Sequence, residues 1–203
     1  MTANKQHWEN VYETKGDLEV SWYQDVPNES LELVAELKLE KEAAIIDVGG
    51  GNSNFTAELL KKGYSNLSIL DISQKALNRT KEKIGSTANV DFIATDILDF
   101  KPKTLFDLWH DRAAFHFLTE EKQIQQYADL VSNSIVSGGF FILSTFSTSG
   151  PLKCSGLEIS QYSKEKLEYL FKNTFEMVKS FETVHATPFD TEQNFIYAVF
   201  RKR

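Results

Sequence analysis

Short apolar runs alternate with longer amphipathic segments along this chain, and that alternation limits the possible folds more than any other feature. The apolar runs are bounded by turn or polar residues, as is typical of buried strands; they lie at residues 43–48, 67–70, 90–94, 106–109 and 140–143. The segments between them carry apolar residues at helical spacing; they lie at residues 55–62, 73–84 and 120–131. Nearly continuous apolar strands that alternate with helices indicate a parallel sheet with helices on both faces.

The last third of the chain adds a helix and two more strands. The helix is predicted after Ser163, and the strand-like runs at residues 175–184 and 195–200 follow without a good helix between them. Strands joined in this way pair antiparallel, so we expect a hairpin at one edge. The predicted fold class is therefore α/β, a Rossmann-like doubly wound sheet of about seven strands with an antiparallel edge hairpin.

The N-terminal stretch differs in character from the rest of the chain. Aromatic residues are interspersed with polar ones ahead of an amphipathic helix that begins near Pro27; they include Trp8, Tyr12, Trp22 and Tyr23. This composition predicts an N-terminal lid that folds over the edge of the sheet. A chain of 203 residues fits a single domain. We expect the lid and helix in residues 1–40, the core in residues 41–203 and a substrate loop near residues 146–163.

Hydroxyl residues stand where several helices are predicted to begin. Ser73, Thr119 and Ser163 each precede an amphipathic segment. A hydroxyl at that position accepts a hydrogen bond from a free backbone amide of the first turn. We therefore predict Ser73 and Thr119 as helix N-caps.

The first predicted strand ends in a glycine-rich turn, Asp47-Val48-Gly49-Gly50-Gly51-Asn52-Ser53. Glycines permit a tight turn and a close approach of the backbone to a ligand, and the following helix directs its first amides towards that ligand. Open α/β sheets bind ligands beyond the carboxyl ends of their strands. Such a turn is also compatible with a simple connection, so its meaning depends on the residues downstream.

Acidic residues end the second and third predicted strands. Asp71 lies 20 residues beyond Gly51, a spacing that suits a carboxylate accepting hydrogen bonds from ribose hydroxyls. Asp96 follows the third strand, where it can accept from an adenine amino group beside the amide and apolar side chain of Ile97. As isolated residues, Asp71 would cap the next helix and Asp96 would form a turn. Together with the glycines, they predict a nucleoside site.

Several nucleoside cofactors bind at sites of this kind. A dinucleotide fingerprint needs a third glycine where this chain has Asn54, and no Gly-Lys-Ser/Thr of a phosphate-binding loop follows. An acidic residue before Gly-x-Gly, here Asp47, instead resembles motif I of class I S-adenosylmethionine-dependent methyltransferases. The order of glycine loop, Asp71, Asp96 and fourth strand over residues 43–145 is similar to the series in that family.

The resemblance implies S-adenosylmethionine as the cofactor and S-adenosylhomocysteine as its product. The implied cofactor-binding residues are Trp22, Asp47, Gly49, Gly51, Asn52, Asp71, Ile72, Asp96, Ile97 and His110. Within this set the glycines would contact the methionine part, and the two downstream acids would hold the ribose and the adenine. Residues 7–12 and 19–23 are similar to thiopurine methyltransferases and certain protein-lysine methyltransferases, in which an N-terminal aromatic, here Trp22 or Trp8, covers the cofactor.

The fourth strand would end beside the reacting methyl group. The resemblance places His110 and Asp111 there, and we predict both as catalytic. The strand lacks the Asn/Asp-Pro-Pro-Tyr motif of enzymes that methylate nucleic-acid bases or glutamine amides, so those substrates are not expected. Transfer from a sulfonium needs in-line positioning and exclusion of water, and a base only for a protonated acceptor. His116, on an apolar stretch, is equally consistent with a structural and a chemical role.

Charge and cysteine content exclude several other functions. A formal net charge of -7 and a pI near 5.2 argue against nucleic acids and anionic membranes as partners. The single cysteine, Cys154, allows neither a disulfide nor a thiol cluster, and no metal site is predicted. The polar N-terminus lacks the apolar core of a signal peptide, so we expect a cytoplasmic protein.

The methyl acceptor is the part of the reaction that the sequence constrains least. Mixed aromatic and polar residues at 8–30 and 146–163 favour a small molecule, with Cys154 and Tyr162 as candidates for the wall of its site. A protein lysine and a catalytically silent binding module stay open as alternatives. A nicotinamide oxidoreductase is disfavoured by Asn54.

Overall fold

The computed structural model describes residues 2–85 and 89–203 and confirms an α/β fold. Its helices are α1 (Ala3–Thr14), α2 (Asn28–Leu37), α3 (Phe55–Lys61), α4 (Gln74–Ile84), α5 (Glu121–Ser134) and α6 (Lys164–Phe171). Its strands are β1 (Ile45–Val48), β2 (Leu67–Asp71), β3 (Val90–Ala94), β4 (Phe106–Arg112), β5 (Ile135–Phe146), β6 (Lys153–Cys154), β7 (Leu157–Glu158), β8 (Phe175–Ala186) and β9 (Glu192–Lys202). Among the described helices, none has the length and apolar character needed to cross a membrane.

Seven of these strands form one sheet in the order β3-β2-β1-β4-β5-β9-β8. Strands β1 to β5 are parallel, whereas β9 pairs antiparallel with both β5 and β8, which confirms the predicted edge hairpin. The short strands β6 and β7 form a separate hairpin inside the predicted substrate loop. Because β2 and β4 lie on opposite sides of β1, the carboxyl end of β1 adjoins the crevice in which such sheets bind ligands.

Helices cover both faces of the sheet and bury its apolar residues. All four residues of β1 are buried, as expected for a parallel strand with helices above and below it. On one face Trp109 and Phe141 pack with Tyr127 of α5, and on the other Ile45 packs in a cluster with Phe55 of α3. Burial of each large apolar side chain contributes about 1.5–3 kcal/mol. The sheet is therefore a firm platform for the loops at its edge.

Strands β4 and β5 are longer than the sequence predicted. β4 continues past Trp109 to Arg112, because His110 and Asp111 keep their pairing with β1 on one side and β5 on the other. β5 begins at Ile135, directly after α5. The residues predicted to follow the fourth strand are therefore part of the sheet, and the strand alternation decides where their side chains point.

The predicted N-cap Ser73 is confirmed, and Ser163 is an N-cap as well. The hydroxyls of Ser73 and Ser163 accept hydrogen bonds from the backbone amides three residues further along the chain. The prediction for Thr119 is wrong. The N-cap of α5 is Glu120, which has an extended backbone and makes no side-chain cap bond, so the helix begins one residue later than predicted.

The N-terminal lid contains a helix, α1, that was not predicted from its sequence. The Glu9 carboxylate accepts hydrogen bonds from the Ser73 hydroxyl at 3.1 Å and from the Gln74 amide at 2.8 Å. The Arg79 guanidinium of α4 donates to two carbonyls at the end of the lid helix, those of Tyr12 and Lys15. The lid therefore lies along α4 and is attached to it by polar side chains rather than by an apolar stripe.

Candidate active site

At all three glycines of the turn after β1 a side chain would collide with its surroundings, and at Gly50 it would meet the carboxylate of Asp47. Gly49 has a φ of +71°, and a Cβ atom there would lie 2.7 Å from the Cβ of Ala114. A Cβ atom on Gly51 would lie 2.6 Å from both the Cβ of Ala76 and the carboxyl carbon of Asp71. The backbone of the turn is therefore packed directly against β2, α4 and the loop after β4.

Asp71 ties this turn to the end of β2. Its carboxylate accepts hydrogen bonds from the Gly51 amide at 3.0 Å and from the Ser73 amide at 2.8 Å. Burial raises the pKa of this carboxyl to about 6, although both hydrogen bonds oppose the rise. An ionised carboxylate has about four acceptor sites. Asp71 therefore fixes the start of the next helix and still has acceptor capacity on the cavity that it lines.

One cavity, called the first cavity below, lies beyond the carboxyl ends of β1, β2 and β3. The lining that follows these strands consists of Gly49, Asp71, Ile72, Thr95, Asp96, Ile97 and Leu98. Asp96 accepts from the Leu98 amide at 3.1 Å, so it forms a turn and lines the cavity at once. The structure thus brings together the three residues predicted to hold the ribose and the adenine, Asp71, Asp96 and Ile97, next to Ile72.

A second cavity lies on the other side of Gly49, between the glycine turn and the lid. Asp47 lines it with a buried Oδ2 atom that has no hydrogen-bond partner among the described residues. Asn52 also lines it, and its side-chain amide donates to Asp17 of the lid at 2.8 Å. Four residues line both cavities: Tyr12, Trp22, Gly49 and Arg112. The two cavities are therefore neighbouring halves of one cleft around the turn.

His110 lines the second cavity, but both of its ring nitrogens are hydrogen-bonded. Nδ1 lies 2.8 Å from Oδ1 of Asp47, and Nε2 lies 2.9 Å from the Ser30 hydroxyl. The ring stacks on Phe55 at a centroid distance of 3.9 Å and is only 2% exposed. A general base must reach the proton that it removes, so this geometry does not support the predicted proton transfer. His110 instead orients Asp47.

Asp111 lies away from both cavities, which corrects its predicted position beside the acceptor. One carboxylate oxygen accepts from the Ala114 and Phe115 amides, and the other accepts from the Tyr127 hydroxyl at 2.6 Å. Burial raises the pKa of this carboxyl to about 6 in spite of these bonds. Successive side chains of a strand point to opposite faces, so Asp111 faces the core and shapes the turn after β4, whereas His110 faces the cleft.

The remaining candidates divide between the cavity wall and the core. Cys154 lines the first cavity, and burial raises the pKa of its thiol to about 11. His116 is buried against Phe146, and burial together with the charge of Arg112 lowers its pKa to about 3. Tyr162 is fully buried and does not line either cavity. Across the described part of the chain, no group of three or more His, Cys, Asp or Glu side chains is placed to hold a metal ion.

The far side of the first cavity has an aromatic wall formed by Trp8, Trp22, Phe117, Phe146 and Phe195. The Trp8 ring lies 5.6 Å from that of Trp22 and 5.1 Å from that of Phe117, so the lid contacts the loop after β4. Phe146 and Phe195 face each other across paired strands β5 and β9, with ring centroids 4.7 Å apart. The lid, this loop and the sheet edge together enclose the space next to the glycine turn.

Arg112 and the phenylalanines of this wall were not predicted from the sequence. Arg112 lies two residues after His110, so strand alternation returns its side chain towards the cleft. A longer fourth strand would have indicated it. Phe146 and Phe195 come together only because β9 returns beside β5, a relation that no local motif encodes.

Comparisons with known proteins show the family of this chain. Residues 39–201 match a family model described as a methyltransferase domain. Malonyl-(acyl-carrier protein) O-methyltransferase 2 of Ilyobacter polytropus is 33% identical over 103 residues, which cover 50% of this chain and 39% of that relative. EEF1A lysine methyltransferase 2 of Danio rerio is 25% identical over 199 residues, which cover 89% of this chain and 78% of that relative.

Solved structures share the fold. The N-methyltransferase NodS of Bradyrhizobium japonicum, in complex with S-adenosylhomocysteine, matches this chain with a TM-score of 0.69 at 16% identity, and the match covers 99% of each chain. The family match spans the glycine turn, the acids that end β2 and follow β3, and the loop after β4. The chain therefore belongs to the methyltransferase domain family and is an S-adenosylmethionine-dependent methyltransferase.

Proposed function

We propose that this methyltransferase acts on a small, largely apolar molecule that binds between the lid and the loop after β4. The observation that carries the proposal is the aromatic wall of the first cavity, which encloses the space beside the glycine turn. Aromatic side chains bind apolar ligands through large contact areas, and such pockets orient the ligand with a few polar groups. Beyond the acids near the strand ends, Arg112 is the charged residue in the described lining of this cavity.

The first cavity suits the adenosine part of the cofactor. Asp71 would accept hydrogen bonds from the ribose hydroxyls, and Asp96 would accept from the adenine amino group. Ile72 and Ile97 line the same stretch and would contact the adenine ring. Trp22 would cover the cofactor from the lid, since it lines both cavities.

The second cavity suits the methionine part. The buried Oδ2 atom of Asp47 has no partner among the described residues, and burial of an unpaired acceptor is costly. An ammonium group would supply the missing donor. Gly49 and Gly50 line this cavity and would let the ligand approach the backbone, and Asn52 adds a polar side chain. Gly51, which was also predicted to contact the cofactor, lines neither cavity and packs against Asp71 and Ala76. His110 supports this site indirectly, because its hydrogen bond holds Asp47 in place.

The chain would promote the reaction by positioning the acceptor and excluding water, rather than by transferring a proton. Bound S-adenosylmethionine supplies a methyl group on a positively charged sulfur that is a good leaving group. The lid and the aromatic wall hold the acceptor opposite that sulfur and keep water out, which favours an in-line displacement. Neither His110, with both nitrogens bonded, nor the buried His116 supplies a free base. We therefore expect acceptors that bind with their nucleophilic atom already deprotonated, so that the enzyme does not have to remove a proton.

Protein lysine is the second candidate acceptor. It is favoured by the relative from Danio rerio, whose name describes a lysine methyltransferase and whose similarity extends over 89% of this chain. Arg112 disfavours it, because a positive charge in the cavity wall repels a lysine ammonium and lowers the affinity for such substrates.

The proposal can be tested in two steps with the purified protein. Calorimetric titration with S-adenosylmethionine, S-adenosylhomocysteine and NAD should show binding of the first two ligands and none of NAD. Release of S-adenosylhomocysteine is then measured with small carboxylates, thiols and amines and, separately, with a protein extract. We expect release with at least one class of small molecule.

Each contrary result identifies a different alternative. Release with protein extract alone would replace the small molecule by a protein substrate. Cofactor binding without release in any mixture would favour a silent binding module, and binding of NAD alone would overturn the cofactor assignment.

A further inference from the structure

Arg112 stands at the end of β4 without an acidic partner. It takes part in none of the ion pairs between the described residues. Its Nη1 donates to the Trp22 carbonyl at 3.0 Å. Its Nε is buried and has no hydrogen-bond partner among the described residues. The guanidinium carbon lies 5.1 Å from the centre of the Phe195 ring.

This arrangement has a free energy cost that a ligand can offset. The Arg112 side chain is half-buried, but its Nε donor is withdrawn from water, and a buried donor without a hydrogen bond is destabilising. The guanidinium carries five N–H donors in a planar fork, and Nη1 is the one occupied by the lid carbonyl. The edge formed by Nε and Nη2 is the geometry that binds a carboxylate through two parallel hydrogen bonds.

Arg112 lines both cavities, and its guanidinium packs against the aromatic wall that would hold the acceptor. Phe195, against which the guanidinium packs, lines the first cavity and not the second. The positive charge of Arg112 is also felt by Cys154, which lines the first cavity, because it partly opposes the rise in the thiol pKa that burial causes. The same charge lowers the pKa of the neighbouring His116. Asp47, which would hold the methionine ammonium, lines the other cavity.

We infer that Arg112 binds a carboxylate group of the methyl acceptor, so that the acceptors are small, largely apolar carboxylic acids. This inference rests on the proposed function, because it assigns the substrate class of that same site. The aromatic wall would hold the apolar body of the acid, and Arg112 would hold its charged end next to Phe195. Neutral analogues of the same shape would leave the buried Nε unpaired and bind less tightly.

The test uses the full chain saturated with S-adenosylhomocysteine, so that the cofactor site is filled. Calorimetric titration compares 3-phenylpropanoate with 3-phenylpropanamide, which has the same shape and no charge. We expect the acid to bind about tenfold or more tightly than the amide. Arg112→Met should abolish this preference, and Arg112→Lys, which keeps the charge but not the fork, should retain part of it.

Arg201→Met is the matched control. Arg201 also lies over a phenylalanine ring, that of Phe140, and donates to a backbone carbonyl, that of Gly138. It pairs with the start of β5, at the edge of the sheet opposite the cleft. This variant should keep the full preference for the acid, and circular dichroism with thermal unfolding should show that both methionine variants are folded.

Two outcomes overturn the inference. Equal binding of acid and amide, or no binding of either at millimolar concentration, would contradict the inference that the acceptor carries a carboxylate.

A second titration tests whether Arg112 binds the carboxylate of the cofactor itself. If Arg112→Met weakens S-adenosylhomocysteine but not 5′-methylthioadenosine, which lacks the amino acid part, then Arg112 binds the methionine carboxylate. Failure of the cofactor to bind the wild-type chain would instead contradict the proposed function.

Discussion

Asp71→Asn tests the double role of this side chain in the fold and in cofactor binding. The amide has nearly the same shape, but it cannot accept from the Gly51 and Ser73 amides together, because one of its two ends is a donor. Loss of one charge-assisted hydrogen bond costs about 1.5–3 kcal/mol. For a domain of this size, each kcal/mol lowers the melting temperature by about 2–4 °C, so we expect the free protein to melt roughly 3–12 °C lower at pH 7.5.

The same substitution removes an acceptor for the ribose hydroxyls. We expect the affinity for S-adenosylhomocysteine to fall by about 1–3 kcal/mol, or roughly 5–150-fold. The wild-type affinity should also depend on pH, because the pKa of Asp71 in the free protein is raised to about 6 by burial. Hydroxyl donors favour the ionised carboxylate and lower its pKa in the complex. Full affinity is therefore expected above pH 6, with a loss of up to about tenfold per pH unit below it.

The measurements are calorimetric titrations with S-adenosylhomocysteine between pH 5 and 8 and thermal unfolding of the free protein. Ser163→Ala is the control, because it removes the cap of a different helix, α6, and Ser163 lines neither cavity. It should lower the melting temperature but keep the affinity and its pH dependence. If Asp71→Asn behaves in the same way, Asp71 only caps the helix and does not bind the ribose.

Three further changes test other parts of the site. Glu9→Gln weakens the attachment of the lid to the start of α4, so it should lower stability by about 0.5–2 kcal/mol and speed the dissociation of S-adenosylhomocysteine in stopped flow. Asn10→Ala, on the exposed side of the same helix, removes a bond within α1 and should not change the dissociation rate. Gly51→Ala forces a Cβ to within 2.6 Å of Ala76 and should cost about 1–3 kcal/mol in chemical unfolding, whereas Gly16→Ala should be nearly neutral. Burial raises the pKa of the Cys154 thiol to about 11, so at pH 8 it should react with iodoacetamide at roughly one hundredth of the rate of a free cysteine, or more slowly. A rate equal to that of free cysteine would contradict the closed lid.

The sheet and the cofactor side of the site were predictable because their information is local. The apolar runs that became β1 to β5 are each recognisable in a window of a few residues. Asp71 and Asp96 follow such runs, and parallel strands bring their carboxyl ends to one edge. The edge hairpin follows from the missing helix between the last two apolar runs, which explains why the fold class was confirmed, whereas the strand order was not predicted.

The acceptor side depends on contacts between distant parts of the chain. His110 was predicted at the correct edge, but its partner Ser30 lies 80 residues away and decides that the ring is not a free base. Asp111 owes its burial to Tyr127 of the next helix, and no spacing rule distinguishes it from an exposed carboxylate. α1 was missed because its attachment to α4 is polar. Its apolar periodicity is weak, whereas the buried carboxylate of Glu9 satisfies the start of another helix.

The lid is attached to α4 along the whole length of that helix. Glu9 binds its first turn, Arg79 in its middle holds the end of α1, and Lys83 in its last turn pairs with Asp17 at 3.0 Å. Glu13 of the lid also pairs with Lys75 of α4 at 2.6 Å. Partial detachment would leave the aromatic side chains of the lid in place, so we expect the cofactor to leave when these attachments open together. Lid opening limits turnover in many enzymes. Pre-steady-state measurements should therefore show a burst of methylated product, in which the first turnover of each molecule is faster than those that follow.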